Sequence, residues 1–256
     1  MTLHELPRQV DVVGVPVAPL SMAEVVDTVL DWTTEDRVQV AVGVNAAVCN
    51  LAASDERFRA LLLDSDLAYA DGQSIVWAGK LLGLRMPERV ATTDLVHPLL
   101  QACAVQGKRV FLFGGRPEVV AMAARRLQDA APGLRIAFSH GYRPASDTEE
   151  LLQEIHDFST DVLLVGLGDP LQQEWIASVK GSLRVPAVLT CGGLFDWTSG
   201  ARPRAPHWMI VTGLEWLWRL ILEPRRLARR YLLGNPAFLA RLAGQWLRAR
   251  HRVNRR

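Results

Sequence analysis

Two polar residues that could carry group-transfer chemistry stand directly after two apolar runs of strand length. Asn45 follows the run 39–44, and Asp71 follows the run 67–70 and precedes a glycine. A carboxylate can take the proton of an attacking hydroxyl, and an amide can orient that carboxylate or a sugar. Each residue also has a structural alternative, because Asp-Gly is typical of turns and Asn is a good helix N-cap. The sequence alone leaves both interpretations open.

Three later apolar runs lead straight into glycine, in the segments FLFGG, LLVGLG and VLTCGG. Ligands of open α/β sheets bind outside the carboxyl ends of the strands, where glycine lets the backbone approach a phosphate. Tight β-to-α turns are the alternative at each place. No segment has the third glycine of GxGxxG or the GK[ST] of a P-loop, which disfavours a dinucleotide-dependent oxidoreductase. The candidate phosphate-binding positions are Gly114, Gly115, Gly168 and Gly193.

Metal and disulfide chemistry find little support in the sequence. Asp64-Ser65-Asp66 is a DxD pattern, which can hold a divalent ion against a nucleotide sugar, but it closes an acidic helix where solvated or capping carboxylates are common. The six histidines show no HxH or HxxxH spacing. The three cysteines are widely spaced without a CxxC pair, which fits a reducing cytosol. We therefore expect neither a metal nor a cofactor.

The elements around these residues predict an α/β fold with a Rossmann-like, mostly parallel sheet flanked by helices. From about residue 105 to 200, strand-length and helical segments alternate. Ser21 with Glu24 is a capping box that opens a helix to about Trp32, and Pro117 opens another that ends before Pro132-Gly133. The predicted strands are Gln39–Val44, Leu67–Ala70, Arg109–Phe113, Leu134–Phe138, Val162–Val165 and Ala187–Thr190.

The charge of the chain is divided unevenly. Residues 202–256 hold thirteen arginines and two glutamates, a net charge of +11, so the first 201 residues carry −9 of the overall +2. Tryptophans and leucines alternate with these arginines, which predicts a C-terminal basic amphipathic helical appendage over 201–256 on an anionic membrane surface. A helical cap with solvated arginines is the alternative. We expect Gly234-Asn235-Pro236 to break this segment into two helices.

Other anionic partners and other membrane attachments are less well supported. A nucleotide-sensing module with a nucleic-acid-binding tail would explain the charge but not the belt of Trp and Leu, so we expect no nucleic acid. Met1 to Val10 lacks the apolar run of a signal peptide, and no uncharged apolar run is long enough to span a bilayer. A homo-oligomeric assembly is compatible with the sequence.

Four stretches in this order resemble the WecG/TagA/CpsF glycosyltransferases, over about Asn45 to Leu239. They are VNAAVCN with its later ADGQSIVWAGKLLG, PERVATTDL with FLFGGRPEV, DVLLVGLGDPLQQEWI, and CGGLFDWTSGARPRAPHWM with its Arg-rich continuation to PAFL. The resemblance implies inverting, metal-independent transfer from a UDP-sugar, typically UDP-N-acetylmannosamine, to polyprenyl-diphosphate N-acetylglucosamine. It also implies a cytoplasmic, peripheral enzyme on the inner face of the plasma membrane that serves teichoic acid, capsule or exopolysaccharide synthesis.

The resemblance also implies roles for individual residues. Asp71 would be the base, Asn45 would orient it or the acceptor sugar, and Arg89 would stabilise charge on the departing UDP. We expect an acceptor-and-base half over 1–104 and a UDP-sugar half over 105–200, which together form a core over 1–200. The residues expected to contact uridine, donor or diphosphate are Tyr142, Gln172, Asp196, Arg219, Arg225 and Arg226.

This sequence departs from the family pattern at three places. Gly43 stands where the family has threonine, and Thr92-Thr93-Asp94 replaces Gly-Thr-Asp. Pro170-Leu171-Gln172-Gln173 replaces Pro-Lys-Gln-Glu. These positions lie in or near those that recognise the sugars. The reaction class is unaffected, whereas glucose or another hexose stays an alternative to N-acetylmannosamine as the donor sugar.

Overall fold

Six parallel strands form one sheet at the centre of the computed structural model, which describes residues 7–253. Their order across the sheet is β4-β3-β8-β7-β5-β6. The predicted α/β fold is confirmed, and three of the six predicted strands have the predicted bounds. The strands are β3 (Gln39–Val44), β4 (Leu67–Ala70), β5 (Arg109–Gly114), β6 (Arg135–Ser139), β7 (Val162–Gly166) and β8 (Ala187–Thr190).

Helices connect these strands and cover both faces of the sheet. The predicted capping box is present, since Ser21 and Glu24 each accept a hydrogen bond from the other's backbone N–H. Pro117 opens a helix as expected. The helices of the core are α1 (Met22–Trp32), α2 (Ala46–Ser54), α3 (Glu56–Leu63), α4 (Gln73–Leu81), α5 (Thr92–Val105), α6 (Pro117–Ala130), α7 (Thr148–Asp157), α8 (Leu171–Val179) and α9 (Leu194–Thr198).

The apolar residues of each strand alternate between two cores, as the period of a strand requires. In β5, Val110 and Leu112 pack with α1, α5 and α6, whereas Phe111 and Phe113 pack on the opposite face with α2, α3, α7 and α8. Both faces of a parallel sheet must be covered, which explains why its strands are apolar without interruption. The sheet therefore presents only its edges and loops to ligands.

An antiparallel hairpin before α1 was not predicted. It consists of β1 (Val10–Val12) and β2 (Val15–Val17), which pair outside the main sheet. Each strand has only three residues, and Pro16 interrupts the apolar pattern of the second. Val12, Val15 and Val17 are buried in the core on the face that carries α2.

The C-terminal segment is helical, and its last helix begins where the sequence predicted a break. A new helix opens at Gly234, but Gly234 has helical φ and ψ, so no loop separates this helix from the helical turn before it. Because Pro236 has no N–H, it fits only the first turn of the helix. The residues before it form a π-helical turn, Arg229–Leu233. The helices of this segment are α10 (His207–Val211), α11 (Glu215–Leu222), α12 (Pro224–Ala228) and α13 (Gly234–Val253).

Helix α13 packs on the core rather than standing free. Phe238 and Leu242 are buried against α2 and the hairpin. Gln245 accepts from the Val13 N–H at 2.8 Å and donates to the Asp11 carbonyl oxygen at 2.9 Å. Burying two such apolar side chains stabilises the docked helix by about 3–6 kcal/mol. The predicted cap and the predicted exposed basic surface therefore coexist in this segment.

The expectations for the chain ends lie partly outside the described residues. The proposed absence of a signal peptide concerns residues 1–10, of which 1–6 are not described, and the proposed appendage ends in residues 254–256, which are not described either. Within 7–253, no helix is long and apolar enough to cross a bilayer. The division at residues 104 and 200 stays a prediction, and strands from both proposed halves of the core pair in the one sheet through β3 and β8.

Candidate active site

Asn45 and Asp71 meet because the strands that precede them are neighbours. Strands β3 and β4 pair in parallel with Val44 opposite Ala70, so the residues that follow them leave the sheet at the same edge. The Asn45 side-chain amide donates to Oδ2 of Asp71 at 3.2 Å. Its Oδ1 accepts from the N–H groups of Ala47 and Val48, which caps α2. Asn45 is thus an N-cap and a partner of Asp71 at once.

Thr92, which was not among the predicted site residues, donates two further hydrogen bonds to Asp71. Oδ1 of Asp71 accepts from the Thr92 N–H at 2.8 Å and from the Thr92 hydroxyl at 2.9 Å. Thr92 is the first residue of α5, and Ala91 before it has no side chain that could cap this helix. Asp71 therefore occupies a helix N-terminus, where a negative charge is favourable. The only signal in the sequence was the departure at 92–94.

Tyr69 extends this network into the core. Its hydroxyl lies 2.8 Å from Oγ1 of Thr92, and the side chain is fully buried. Burial raises the pKa of the Tyr69 phenol above its ordinary value, and the nearby negative charge of Asp71 raises it further. Tyr69 sits in the middle of an apolar strand, so its pattern predicts only a core residue.

The glycines after the strands fall into two groups. Gly114 has φ +137°, and a methyl group there would overlap the backbone carbonyl of Gly166 on the adjacent strand. Gly115 accepts a hydrogen bond from the Gly141 N–H at 2.9 Å. These contacts explain both residues through close packing of loops. By contrast, Gly168 faces open space, and a methyl group on Gly193 would meet only Oδ2 of Asp196, at 3.8 Å. Of the four candidates, Gly168 therefore leaves the most room for a ligand.

Gln172 joins two of the loops at the carboxyl ends of the strands. Its side-chain oxygen accepts from the Gly192 N–H at 3.0 Å, and its amide donates to Asp169 at 2.8 Å. The residue is buried, so it shapes the loops that follow β7 and β8. The two candidates for uridine contact lie nearer the surface than Gln172: Tyr142 is exposed, and Asp196 is partly buried with Arg202 at 3.9 Å.

Arg89 is held by two carboxylates. It donates to Asp94 and to Glu215, each at 3.1 Å, and only 13% of its side chain is exposed. Asp94 also contacts Arg204. To stabilise charge on a departing diphosphate, the guanidinium would have to exchange or share these carboxylates. In the structure, Arg89 connects α11 to the segment that precedes α5.

The three arginines expected to bind diphosphate differ in their surroundings. Arg219 lies 4.9 Å from the ring of Trp197, and its Nε is buried and donates to no residue within 7–253. Such a buried N–H is costly without a partner, so this position suits an added anion. Arg225 is exposed on α12. Arg226 pairs with Glu223 and is therefore already neutralised.

The DxD pattern is remote from these residues. Asp66 precedes β4 and Asp71 follows it, so the two lie at opposite edges of the sheet. Asp64 pairs with Lys180 at 2.8 Å, and Asp66 pairs with Arg37 at 2.8 Å. In the part of the chain that the structure describes, no group of three or more His, Cys, Asp or Glu side chains could hold a metal ion.

The candidate site combines the fixed carboxylate of Asp71, the glycine loops of a parallel sheet, and Arg219, whose Nε has no partner within 7–253. Such a combination suits transfer of a group from a phosphate donor. The model of the glycosyl transferase WecG/TagA/CpsF family matches residues 10–252. The chain belongs to this family. It is thus a glycosyltransferase by family, as the four motifs indicated.

Curated relatives agree with this assignment across almost their whole length. The protein of Staphylococcus aureus strain NCTC 8325 / PS 47 named N-acetylglucosaminyldiphosphoundecaprenol N-acetyl-beta-D-mannosaminyltransferase is 28% identical over 247 residues, which cover 95% of this chain and 96% of the relative. The protein of the same name from strain MRSA252 is 27% identical over the same length.

Two of the departures from the family pattern lie side by side in the fold. A methyl group built on Gly43 would lie 3.1 Å from Oγ1 of Thr92 and 3.0 Å from Cβ of Asp71. The threonine of the family pattern could not enter at position 43 without moving Thr92. Glycine at 43 and threonine at 92 therefore fit together around Asp71.

Proposed function

We propose that this protein transfers a hexose from a UDP-sugar to a sugar linked to polyprenyl diphosphate, with inversion at the anomeric carbon and without a metal ion. The observation that carries the proposal is the Asp71 carboxylate, fixed by Asn45 and Thr92 at the edge of the sheet where ligands of such folds bind. Inverting transfer needs one base and one displacement, and a single oriented carboxylate meets that need.

The curated relatives suggest the two sugars. Their names specify an N-acetylmannosaminyl group as the one transferred and N-acetylglucosaminyldiphosphoundecaprenol as the acceptor. We extend the acceptor class to this chain, and N-acetylmannosamine is the leading donor sugar. Leu171 and Gln173 replace a lysine and a glutamate of the family pattern beside Gln172, so UDP-glucose or another UDP-hexose is the alternative donor.

The arginines of the C-terminal segment would serve the diphosphates. The buried and unpartnered Nε of Arg219 can donate to a phosphate oxygen without losing an existing hydrogen bond. The neighbouring Trp197 ring favours a positive charge over its face. We assign Arg219 the first place among the candidate diphosphate ligands, ahead of Arg225 and of Arg226, which is paired.

The same segment would bring the site to a lipid acceptor. Several of its apolar side chains are exposed although others on the same helices are buried, and arginines lie among them. Exposed apolar residues with basic neighbours are typical of a helix that lies in the interface of an anionic membrane. We therefore propose peripheral attachment at the inner face of the plasma membrane. The exposed apolar residues are Trp208, Val211, Ile221, Leu222, Leu232, Leu233, Leu239 and Leu247.

The test measures UDP release by the purified protein in EDTA, from UDP-N-acetylmannosamine and a panel of other UDP-hexoses, with and without short-chain polyprenyl-diphosphate N-acetylglucosamine. We expect release that depends on the acceptor and falls at least about a hundredfold in Asp71→Asn. Asp64→Asn is the matched control, since it neutralises an aspartate at the other edge of the sheet. The proposal would be refuted if no UDP were released from any donor in the panel, or if Asp71→Asn kept full activity.

A further inference from the structure

The two oxygens of the Asp71 carboxylate carry unequal sets of hydrogen bonds. Oδ1 accepts two, from the N–H and the hydroxyl of Thr92. Oδ2 accepts one, from the Asn45 amide, and no other side chain or backbone group within 7–253 donates to it. Because each carboxylate oxygen offers about two acceptor sites, Oδ1 is saturated and Oδ2 keeps one site open.

The direction of the Thr92 hydroxyl follows from its two neighbours. An ionised carboxylate can only accept, so the single proton of Thr92 Oγ1 must point at Asp71. The contact between Thr92 Oγ1 and Tyr69 is then donated by the phenol. The raised pKa of the buried Tyr69 phenol agrees, since a protonated phenol remains available as the donor. A chain of two directed hydrogen bonds thus ends on Oδ1.

Gly43 leaves the space that this chain of hydrogen bonds fills. A methyl group at position 43 would lie 3.1 Å from Thr92 Oγ1 and 3.2 Å from the Tyr69 hydroxyl. Both distances are shorter than ordinary van der Waals contact, so a side chain there would push one of the two hydroxyls away. The glycine is therefore part of what holds the carboxylate in one orientation.

We propose that Thr92, held by Tyr69, is a positioning residue that saturates Oδ1 of Asp71 and so selects the open site of Oδ2 as the one that receives the proton of the attacking hydroxyl. This inference rests on the function proposed above. In that step the acceptor hydroxyl gives its proton to Oδ2 while its oxygen bonds to the anomeric carbon. The bond from that carbon to the phosphate oxygen breaks, and its electron pair leaves with UDP.

The kinetic test compares Thr92→Val, which keeps the shape and the N–H but lacks the hydroxyl, with Thr92→Ser, which keeps the hydroxyl. We expect Thr92→Val to lower kcat about tenfold to a hundredfold, because a misdirected base loses that much. KM for donor and acceptor should change less than about threefold, since the Thr92 hydroxyl is engaged by Asp71 and Tyr69. Thr92→Ser should retain most of kcat. Thr28→Val is the matched control, since it removes a partly buried hydroxyl of α1 that donates to the Glu24 carbonyl oxygen.

Two kinetic outcomes would overturn the inference while the proposed function stands. One is an active wild type with an unchanged kcat in Thr92→Val. The other is an equal loss in Thr92→Val and Thr92→Ser, which would trace the effect to packing and not to the hydroxyl. Urea unfolding of each variant shows whether it is folded under the conditions of the assay.

A structural readout decides the inference even if the wild type transfers no sugar from any donor in the panel. We expect crystal structures of the wild type and Thr92→Ser to show one orientation of the Asp71 carboxylate, and Thr92→Val to show a rotated or divided one. The same single orientation in all three proteins would overturn the positioning role.

Discussion

The guanidinium of Arg89 donates to a carboxylate oxygen of Glu215 at 3.1 Å, although the two residues are 126 positions apart in the chain. Arg89 lies three residues before Thr92, and Glu215 begins α11. The side chains of Arg89 and Glu215 are both largely buried, with 13% and 14% of their surface exposed. The ion pair therefore attaches the C-terminal segment to the loop before α5, the helix whose first residue, Thr92, donates two hydrogen bonds to Asp71.

Neutralising one side of this pair should loosen the C-terminal segment. We expect Glu215→Gln to lower the free energy of unfolding by about 2 kcal/mol, the typical contribution of a hydrogen bond to a charged group. Cleavage by trypsin at the arginines of α12 should also become faster. Urea unfolding and the proteolysis rate at native conditions measure the two effects. Asp27→Asn, exposed on α1, is the control and should change neither.

A double-mutant cycle separates the pair from the other contacts of Arg89. Arg89→Gln also removes the bond to Asp94, but that loss cancels in the comparison with the double variant. We expect a coupling energy of at least about 1 kcal/mol between positions 89 and 215. Additive effects would show that α11 is held by its other contacts.

Most of the fold could be predicted because the strands are fully buried. Strands covered on both faces read as unbroken apolar runs, and β3, β4 and β8 end where the runs end. The hairpin of β1 and β2 escaped because three-residue strands carry too short a pattern. Gly234-Asn235-Pro236 marked the start of α13 but not the helical backbone that runs through it, which depends on Phe238 and Leu242 anchoring α13 to the core from its first turns.

The site could be predicted only in part. Asn45 and Asp71 were found because each directly follows an apolar run and matches a functional position of the family. The parallel pairing of β3 and β4 then brings them together. Thr92 is 21 residues from Asp71, and its contact depends on how α5 packs against the sheet, which no local pattern shows. The two interpretations of Asn45, as a helix cap and as a site residue, do not exclude each other, since its oxygen caps α2 while its amide donates to Asp71.

Exposed leucines of the π-helical turn should control attachment to lipid. We expect the wild type to co-sediment with vesicles that contain phosphatidylglycerol, less so at high salt, because arginines contribute to the attraction. The double variant Leu232→Ser, Leu233→Ser should bind at least about tenfold more weakly, since both side chains are more than half exposed and would lose their contact with the acyl chains.

A matched control separates this effect from general surface polarity. Val105 is 89% exposed at the end of α5, outside the residues of the C-terminal segment, and Val105→Ser should leave vesicle binding unchanged. Equal binding by the wild type and the double leucine variant would contradict membrane attachment through this turn.

The two groups of glycines should respond differently to alanine. Gly114→Ala should lower the free energy of unfolding by about 3 kcal/mol or more, for two reasons. Alanine is strained at this positive φ, and its methyl group would also overlap the Gly166 backbone. Gly168→Ala has the positive φ, +80°, but open space around it, so about 1–2 kcal/mol is expected. Urea unfolding of both variants checks the difference, and equal losses would mean that the loops after β5 and β7 move apart freely.

The carboxylate of Glu223 should give the protein a stability that depends on pH. Partial burial acts to raise its pKa, but hydrogen bonds from Arg202 and Arg226 outweigh it and hold the pKa below the ordinary 4.5. A carboxylate with a lowered pKa stabilises the folded state above its ordinary pKa, and this contribution is lost as the pH falls through the lowered value. Glu223→Gln should therefore cost about 1.5 kcal/mol of unfolding free energy at pH 7.

The difference between wild type and Glu223→Gln should shrink as the pH falls below about 4.5, and it should be lost once the pH has passed through the lowered pKa at which the folded wild type takes up its proton. Urea unfolding of both proteins from pH 7 down to pH 3 measures it, with Glu56→Gln, exposed on α3, as the control. A difference that stays constant across this range would show that Glu223 stabilises the turn between α11 and α12 through its shape, and that its charge contributes nothing.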